Sequence, residues 1–206
     1  KCDENLKIDI DTDFEKIKSL DYLLVTFAYG YPYNSELIDK IFSINDKIIL
    51  IYDLSHCQGY SSKNLNYNNQ IHYFFSTQGT KAISTGEGGI VSTEDFYIYK
   101  KMIINSHLNR INYNLKLSDK ETLAIKIGLL SKSRMSPLGA ISGLNDLFYL
   151  KRRNKILRKK FVIFYNEFSN SGKIRFPTID NFEELTGFHY GIPFIVNPEL
   201  TDVQKN

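Results

Sequence analysis

The 206-residue chain lacks tryptophan, has only two cysteines and carries little excess charge. Cys2 and Cys57 lie far apart and fit no zinc or redox spacing, so we expect neither a disulfide framework nor a metal site. The formal net charge of +3 does not favour a nucleic acid or an acidic membrane as partner. The longest apolar runs fall well short of the ~20 residues that a membrane span needs. With 42% hydrophobic and 24% charged residues, the composition is that of a globular protein.

The first residues, 1–5, are polar and charged, which does not match a signal peptide. Together with the low cysteine content, this favours a cytoplasmic location. The chain does not begin with methionine, and we expect it to be a piece of something longer. His72, His107 and His189 share no metal-ligand spacing, so we expect packed or surface histidines.

Short apolar runs alternate with helical patterns over the first hundred residues. Helical spacing over 13–20, with a cap at Thr12 or Asp13, and over 35–43 predicts two helices. Four apolar runs predict strands, at 22–27, 47–52, 71–75 and 89–91. This alternation predicts an α/β layer with a mainly parallel sheet. Because the run 22–27 is continuously apolar, we expect that strand to be buried on both faces.

From Phe96 the pattern turns helical, and its strongest signal covers residues 137–169. One helix face is indicated there by side chains that recur at intervals of three and four: Leu147, Leu150, Asn154, Leu157, Phe161, Phe164 and Phe168. We interpret the basic residues of 151–160 as the solvated side of this helix, rather than as a nucleic-acid site. Residues 188–196 then predict a strand of a second unit.

Asp53 is the first candidate for chemistry, because it closes the strand-like run KIILIYD. Open parallel sheets present their ligand-binding groups at such strand ends. His56 adds a second polar side chain three residues later. The alternative is a plain turn, in which Asp53 is a cap and His56 a loop histidine.

Lys81 is the second candidate, within the stretch FFSTQGTKAISTGEGG. Ser76 ends a predicted strand, and a hydroxyl beside backbone amides at such a place can hold a phosphate. Lys81 can form a Schiff base with a carbonyl once burial lowers its pKa. The alternative is a glycine-rich hairpin with a surface lysine. The glycines fit neither a P-loop nor a dinucleotide-binding fingerprint.

Taken together, these residues point to one cofactor. Pyridoxal phosphate needs an acid at its pyridine nitrogen, a lysine that forms a Schiff base, and a cradle for its phosphate. Asp53, Lys81 and Ser76 supply these three types of group. The acid keeps the ring nitrogen protonated, so that the ring withdraws electrons from the substrate.

Three motifs resemble those of the DegT/DnrJ/EryC1/StrS family of sugar aminotransferases. Members carry an acid in a segment such as EDxxQ or DCSHAHG, and this chain has YDLSHCQG at 52–59. The family pattern FSxxxxKxxxxGEGG corresponds to FSTQGTKAISTGEGG at 75–89. The pattern YRMSPLQAAxG, which opens a long helix, corresponds to SRMSPLGAISG at 133–143. The order and spacing agree from about Ile8 to the end of the chain.

The resemblance implies roles for five residues. Lys81 and Asp53 would be catalytic, with Lys81 forming the Schiff base and moving a proton, and Asp53 pairing with the pyridine nitrogen. His56 would lie beside the phenolic oxygen of the cofactor, and Ser76 would bind its phosphate. Lys132 falls where members have an asparagine or a lysine that reaches the phosphate bound by the neighbouring subunit.

The resemblance also implies fold type I of the pyridoxal-phosphate enzymes. Residues 1–145 would be part of the cofactor-binding large domain, with a mainly parallel sheet flanked by helices. Residues 146–206 would hold the connecting long helix and the start of a small α/β domain. The implied activity is transfer of an amino group from glutamate or glutamine to a keto-sugar nucleotide, in polysaccharide, lipopolysaccharide or secondary-metabolite biosynthesis. A homodimer without nucleic acid or membrane partners is expected.

The chain also departs from the family pattern. It lacks the glycine/threonine phosphate loop and the stacking ring that members carry further upstream, and its C-terminal domain is short. We therefore expect a fragment that is not a competent enzyme alone. Two alternatives stay open: a related sugar dehydratase, in which a histidine replaces the lysine, and a non-catalytic remnant that only associates with subunits. Lys81 argues against the dehydratase.

Overall fold

The computed structural model describes residues 2–3, 5–31, 33, 35–60, 68–106, 115–127, 133–179, 182, 185–186 and 191–197. Lys132 and residues 188–190 lie outside the described residues. Five α-helices are present among the described residues: α1 (Ile10–Lys18), α2 (Ser35–Ile44), α3 (Phe96–Ser106), α4 (Asp119–Lys126) and α5 (Pro137–Phe168). The described strands are β1 (Tyr22–Thr26), β2 (Ile49–Asp53), β3 (Ile71–Ser76), β4 (Gly89–Ser92), β5 (Ile174–Arg175) and β6 (Ile195–Val196).

The main sheet has the strand order β1-β2-β3-β4. Strands β1, β2 and β3 are parallel, whereas β4 returns antiparallel to β3. Helices α1 and α2 precede and follow β1 along the chain. The architecture is therefore α/β with a mainly parallel sheet, as the sequence predicts.

The first core lies between this sheet and the first two helices. The strands contribute Val25, Leu50, Tyr52 and Ile71, each with no exposed surface. Ile41 of α2 is equally buried. Full burial of a valine, leucine or isoleucine side chain contributes about 1.5–3 kcal/mol, so these residues hold β1–β3 against the two helices. The sheet thus gains a rigid base below the strand ends.

Two expectations for the first elements are wrong. Tyr22 and Leu24 of β1 are 61% and 59% exposed, so only one face of this strand is covered by the described residues. Strand β1 lies at the edge of the sheet, and its apolar run alone does not reveal that position. Helix α1 begins at Ile10 because Asp9, rather than Thr12 or Asp13, is its cap. The Asp9 carboxylate accepts a hydrogen bond from the Thr12 amide at 3.0 Å.

Helix α5 confirms the predicted long helix almost to the residue. Ser136 caps it by accepting a hydrogen bond from the Gly139 amide at 2.9 Å, and Pro137 occupies its first turn. The predicted stripe is buried at Leu150, Asn154 and Phe161, but 53% of Leu147 and 40% of Phe168 are exposed. The predicted solvated side is correct for five exposed basic residues, Lys151, Arg152, Lys155, Lys159 and Lys160, but Arg153 and Arg158 are half-buried.

A second, aromatic cluster packs on the later part of α5. Its buried members are Tyr31, Phe161, Phe176 and Leu185. Strands β5 and β6 form a separate antiparallel pair beside it. Of the strand predicted over 188–196, the described part is a strand only at Ile195–Val196. The division at 145/146 stays a prediction. Among the described helices, none is both long and apolar enough to cross a membrane.

Candidate active site at the carboxyl ends of the strands

The carboxyl ends of the parallel strands β1, β2 and β3 all lie at the same end of the sheet. Asp53 is the last residue of β2 and lies in register with Thr26 on one side and Phe74 on the other. Ser76 is the last residue of β3, two residues after Phe74. The two predicted cofactor-binding groups therefore project from neighbouring strand ends, where open parallel sheets bind ligands.

Asp53 is held from both sides. Its backbone carbonyl accepts a hydrogen bond from the Phe27 amide at 3.0 Å. Its carboxylate oxygen Oδ1 accepts a second from the Ser55 amide at 3.0 Å, which is the geometry of an Asx turn. The side chain is half-buried. Asp53 is thus a turn residue and a fixed carboxylate at once, so the two interpretations of this position do not exclude one another.

His56 lies against Tyr29 from the turn after β1. The Tyr29 amide donates to Nδ1 of His56 at 3.4 Å, and the two rings are 5.8 Å apart. Tyr29 takes a left-handed backbone conformation, with φ of +55°. Such a conformation is uncommon outside glycine and is concentrated at functional sites.

Three of the predicted residues interact through their charges: His56, Lys81 and Asp53. The pKa of His56 is lowered from its usual 6.5, first by burial and then by the positive charge of Lys81, while Asp53 acts in the opposite direction. The charges of Lys81 and Asp53 therefore both reach the imidazole. A lowered pKa favours the neutral ring, which agrees with Nδ1 acting as an acceptor from Tyr29.

Lys81 lies on a compact loop between β3 and β4. Its amide donates to the Gln78 carbonyl at 2.8 Å, and its side chain is half-buried. The loop closes where the Thr85 amide donates to the Thr77 carbonyl at 2.8 Å. The two threonine hydroxyls also lie 2.7 Å apart in a buried hydrogen bond. The segment is therefore an ordered turn structure rather than an open hairpin.

The start of α5 lies directly on this loop, and two glycines permit the approach. A Cβ added at Gly139 would lie 2.5 Å from the Thr85 carbonyl oxygen. One added at Gly143 would lie 2.8 Å from Cγ2 of the Thr85 side chain. Both distances are too short for a real Cβ contact, so the glycines let the helix rest on the loop backbone.

Of the five residues predicted from the sequence, the structure describes four. Asp53 and Ser76 lie at adjacent strand ends, and the charges of Lys81 and Asp53 act on His56. Lys132 lies outside the described residues. Sequence reasoning missed Tyr29, which contacts His56, and Gln58, whose side-chain amide donates to the Ser76 carbonyl. An aromatic residue three positions after β1 and a glutamine inside the motif YDLSHCQG were the available signals.

Comparison with known proteins identifies relatives at the level of family and fold. The family model of the DegT/DnrJ/EryC1/StrS aminotransferase family matches residues 23–202. None of the curated proteins matches the chain.

Solved structures share the fold of the chain at low sequence identity. GDP-4-keto-6-deoxy-D-mannose-3-dehydratase from E. coli, with bound hydrated PLP, is 22% identical, with a TM-score of 0.73 over 95% of this chain and 52% of that one. The sugar aminotransferase CalS13 from Micromonospora echinospora is 18% identical, with a TM-score of 0.64 over 94% and 53%. The aminotransferase from Psychrobacter cryohalolentis is 15% identical, with a TM-score of 0.66 over 90% and 50%. The chain thus has the fold of these enzymes and spans about half of their length.

Proposed function

Because the chain belongs to the DegT/DnrJ/EryC1/StrS aminotransferase family, we propose that it contributes the catalytic lysine of a pyridoxal-phosphate-dependent sugar aminotransferase. The substrates would be glutamate or glutamine as amino donor and a keto-sugar nucleotide as acceptor. One observation carries the proposal: Lys81 lies on an ordered loop at the strand ends, and its charge and that of Asp53 both act on His56.

The described residues fit the cofactor by their chemistry. Asp53 offers a carboxylate whose position is fixed by the Ser55 amide, as the pyridine nitrogen requires. Ser76 offers a hydroxyl at the end of β3, where a phosphate can be held together with backbone amides. Lys81 offers the amine. When bound, pyridoxal phosphate supplies an aldehyde that condenses with an amine and a ring that withdraws electrons.

Each residue then has a separate task. Lys81 would hold the cofactor covalently through Nζ, and the same amine would carry the proton at the substrate carbon. Asp53 keeps the proton on the ring nitrogen by its negative charge. Burial lowers the pKa of His56, which favours the neutral ring, so His56 could support the cofactor ring by a hydrogen bond without adding a charge.

A dehydratase is the second candidate, because the fold is also shared with GDP-4-keto-6-deoxy-D-mannose-3-dehydratase. The family resemblance implies that sugar dehydratases carry a histidine at the motif position where the aminotransferases carry the lysine. This chain has Lys81 at that position. A lysine at this position could hold the cofactor covalently, which a histidine could not, and this favours the aminotransferase. Product analysis separates them, since only the aminotransferase yields an amino sugar.

The test of the proposal is reductive trapping at Lys81. Borohydride treatment of the protein with bound pyridoxal phosphate should fix the cofactor to the peptide that contains Lys81, as mass spectrometry would show. Lys81→Ala should abolish trapping and lower turnover by several orders of magnitude, because the nucleophile and the proton carrier are lost together. Lys159→Ala, at an exposed lysine of α5, is the matched control and should change neither. Trapping on another lysine would overturn the assignment.

Other features of the whole protein remain part of the proposal. We expect a homodimer, a cytoplasmic location and a cofactor site to which segments outside these 206 residues also contribute. The absence from the sequence of the family's phosphate loop and stacking ring supports the last expectation. Size measurement of the protein in solution, with and without the cofactor, tests the dimer.

A further inference from the structure

Three consecutive residues after Lys81 are each held by a side chain from elsewhere in the chain. The Ala82 carbonyl accepts a hydrogen bond from Nη2 of Arg153 at 2.6 Å. The Ile83 amide donates to Oε1 of Gln58 at 2.6 Å. The Ser84 amide donates to Oδ2 of Asp146 at 2.9 Å. We call Gln58, Asp146 and Arg153 the loop clamp.

Gln58 connects the two sides of the loop between β3 and β4 that carries Lys81, which we call the lysine loop. Its Nε2 donates to the Ser76 carbonyl while its Oε1 accepts from Ile83, so one side-chain amide bridges β3 and the residues after Lys81. The side chain is only 3% exposed. Asn154 of α5 donates in turn to the Gln58 carbonyl at 3.0 Å. This bridge needs a donor and an acceptor on one side chain, and the planar amide of glutamine provides both.

Asp146 and Arg153 act from α5, two helical turns apart. Nη1 of Arg153 lies 3.3 Å from Oδ1 of Asp146, and its Nη2 also donates to the Asp146 backbone carbonyl at 2.9 Å. The fixed fork of the guanidinium thus bonds the loop and the helix at the same time. A lysine at this position would have the charge but not the geometry.

We propose that the loop clamp positions Lys81 by fixing the backbone that follows it. The inference rests on the proposed role of Lys81 as the residue that binds the cofactor. A lysine side chain has four rotatable bonds, so its amine can be held at a reacting carbon only if its backbone is fixed. Displacement of a reacting group by ~1 Å costs about 100-fold in rate. The clamp residues are positioning residues, because none of them is among the groups that would bind the cofactor.

Amide hydrogen exchange of the cofactor-free protein tests the clamp without reference to activity. Arg153→Ala and Asp146→Ala should speed exchange at residues 82–84 and leave exchange in β2 unchanged. Arg152→Ala is the matched control, because it removes an exposed arginine from the adjacent position of α5. Unchanged exchange at 82–84 in both clamp variants would overturn the proposal.

Kinetics and absorbance separate positioning from a purely structural role. Loss of the clamp should lower kcat by about 10–100-fold with little change in KM. It should also shift the pH at which the absorbance of the Lys81-bound cofactor changes, whereas Arg152→Ala should not. Asp146→Asn, which keeps an acceptor oxygen for Ser84, should restore part of kcat. A clamp variant that melts earlier but keeps kcat and the absorbance profile would contradict positioning.

Lys81→Ala is measured in parallel, so that the two proposals can fail separately. If Lys81→Ala keeps its turnover, the proposed function is wrong, and the exchange data still decide whether the clamp fixes the loop. If Lys81→Ala is inactive and the clamp variants are as active as Arg152→Ala, only the clamp proposal is wrong. Arg153→Lys serves if Arg153→Ala does not fold, and it should show the same faster exchange, since it cannot reproduce the fork.

Discussion

The two halves of α5 contact the rest of the chain by different means. Residues 137–154 meet the lysine loop through glycines and directed hydrogen bonds, at Gly139, Asp146 and Arg153. Residues 155–168 meet the aromatic cluster through side-chain packing. Hydrogen bonds to a backbone fix distance and direction, whereas packed rings mainly bury area. The first half therefore fixes the position of the loop that carries Lys81, and the second half buries the aromatic cluster.

The ring contacts of the second half are numerous and varied. Phe161 lies 6.0 Å from Phe176 in an edge-on arrangement and 6.1 Å from Phe182 in a tilted one. Tyr165 lies 5.1 Å from Phe176. The ring planes of these three pairs meet at 90°, 34° and 41°. Such packing stabilises the cluster without dictating one position for any group, unlike the bonds to Ala82, Ile83 and Ser84.

The largest effect on stability is expected for Phe161→Ala. Phe161 is 1% exposed, and removal of a buried phenylalanine ring costs about 3–5 kcal/mol of unfolding free energy. Denaturant unfolding measures this loss. If the two halves differ as described, amide exchange at residues 82–84 should change far less than exchange at 174–176. Ile163→Ala, at a 71% exposed position of the same helix, is the control and should cost little. Equal loosening of both regions would contradict the comparison.

A smaller loss of stability but a larger loss of activity is expected for Gly139→Ala. The new Cβ would gain about 1 kcal/mol of helix propensity but would lie 2.5 Å from the Thr85 carbonyl oxygen. Relief of such a contact by backbone shifts costs about 1–3 kcal/mol. The loop that carries Lys81 must therefore move, and turnover should fall more than the melting temperature. Ser142→Ala, at an exposed site on the same helix, should leave both unchanged. A fully active Gly139→Ala protein would show that the close approach is unimportant.

Local patterns in the sequence predicted the helix α5 and the strands of the main sheet well. Ser136 and Pro137 indicate the start of α5, and the spacing of Leu150 and Phe161 predicts its buried face. The strands β1–β3 follow from short apolar runs, whereas the roles assigned to Asp53 and Lys81 from their motifs stay predictions. Each of these signals lies within a few residues of the feature that it predicts.

The rest depends on contacts between distant residues. Arg153 reaches Ala82 across 71 positions, and Asn154 reaches Gln58 across 96, so no local pattern marks them as partners. The exposed outer face of β1 follows from its place at the edge of the sheet, which an apolar run does not encode. The left-handed turn at Tyr29 is likewise set by its surroundings, because tyrosine has no preference for it.

The smallest predicted effect is a change in the pKa of His56, and it tests whether Lys81 lies beside the imidazole. Burial lowers this pKa most, the charge of Lys81 lowers it further, and Asp53 opposes them. In the cofactor-free protein, Lys81→Ala should therefore raise the pKa of His56 towards 6.5, and Asp53→Asn should lower it further. NMR titration of the imidazole protons measures both shifts, and a His56 pKa that ignores both substitutions would refute the proximity of the three groups.

His72 on β3 provides the internal control for this titration. Burial lowers its pKa too, but the opposing charge is that of Asp95, and Lys81 does not contribute. Lys81→Ala should therefore leave the pKa of His72 unchanged. Because both histidines have a lower pKa in the folded protein than the unfolded value of about 6.5, the unfolded chain binds more protons as the pH falls. Their contribution to stability is thus complete above that pH and decreases as the pH falls towards the folded pKa. Lys81→Ala should weaken this pH dependence of stability only through His56. In a His56→Gln background, Lys81→Ala should therefore leave the pH dependence unchanged.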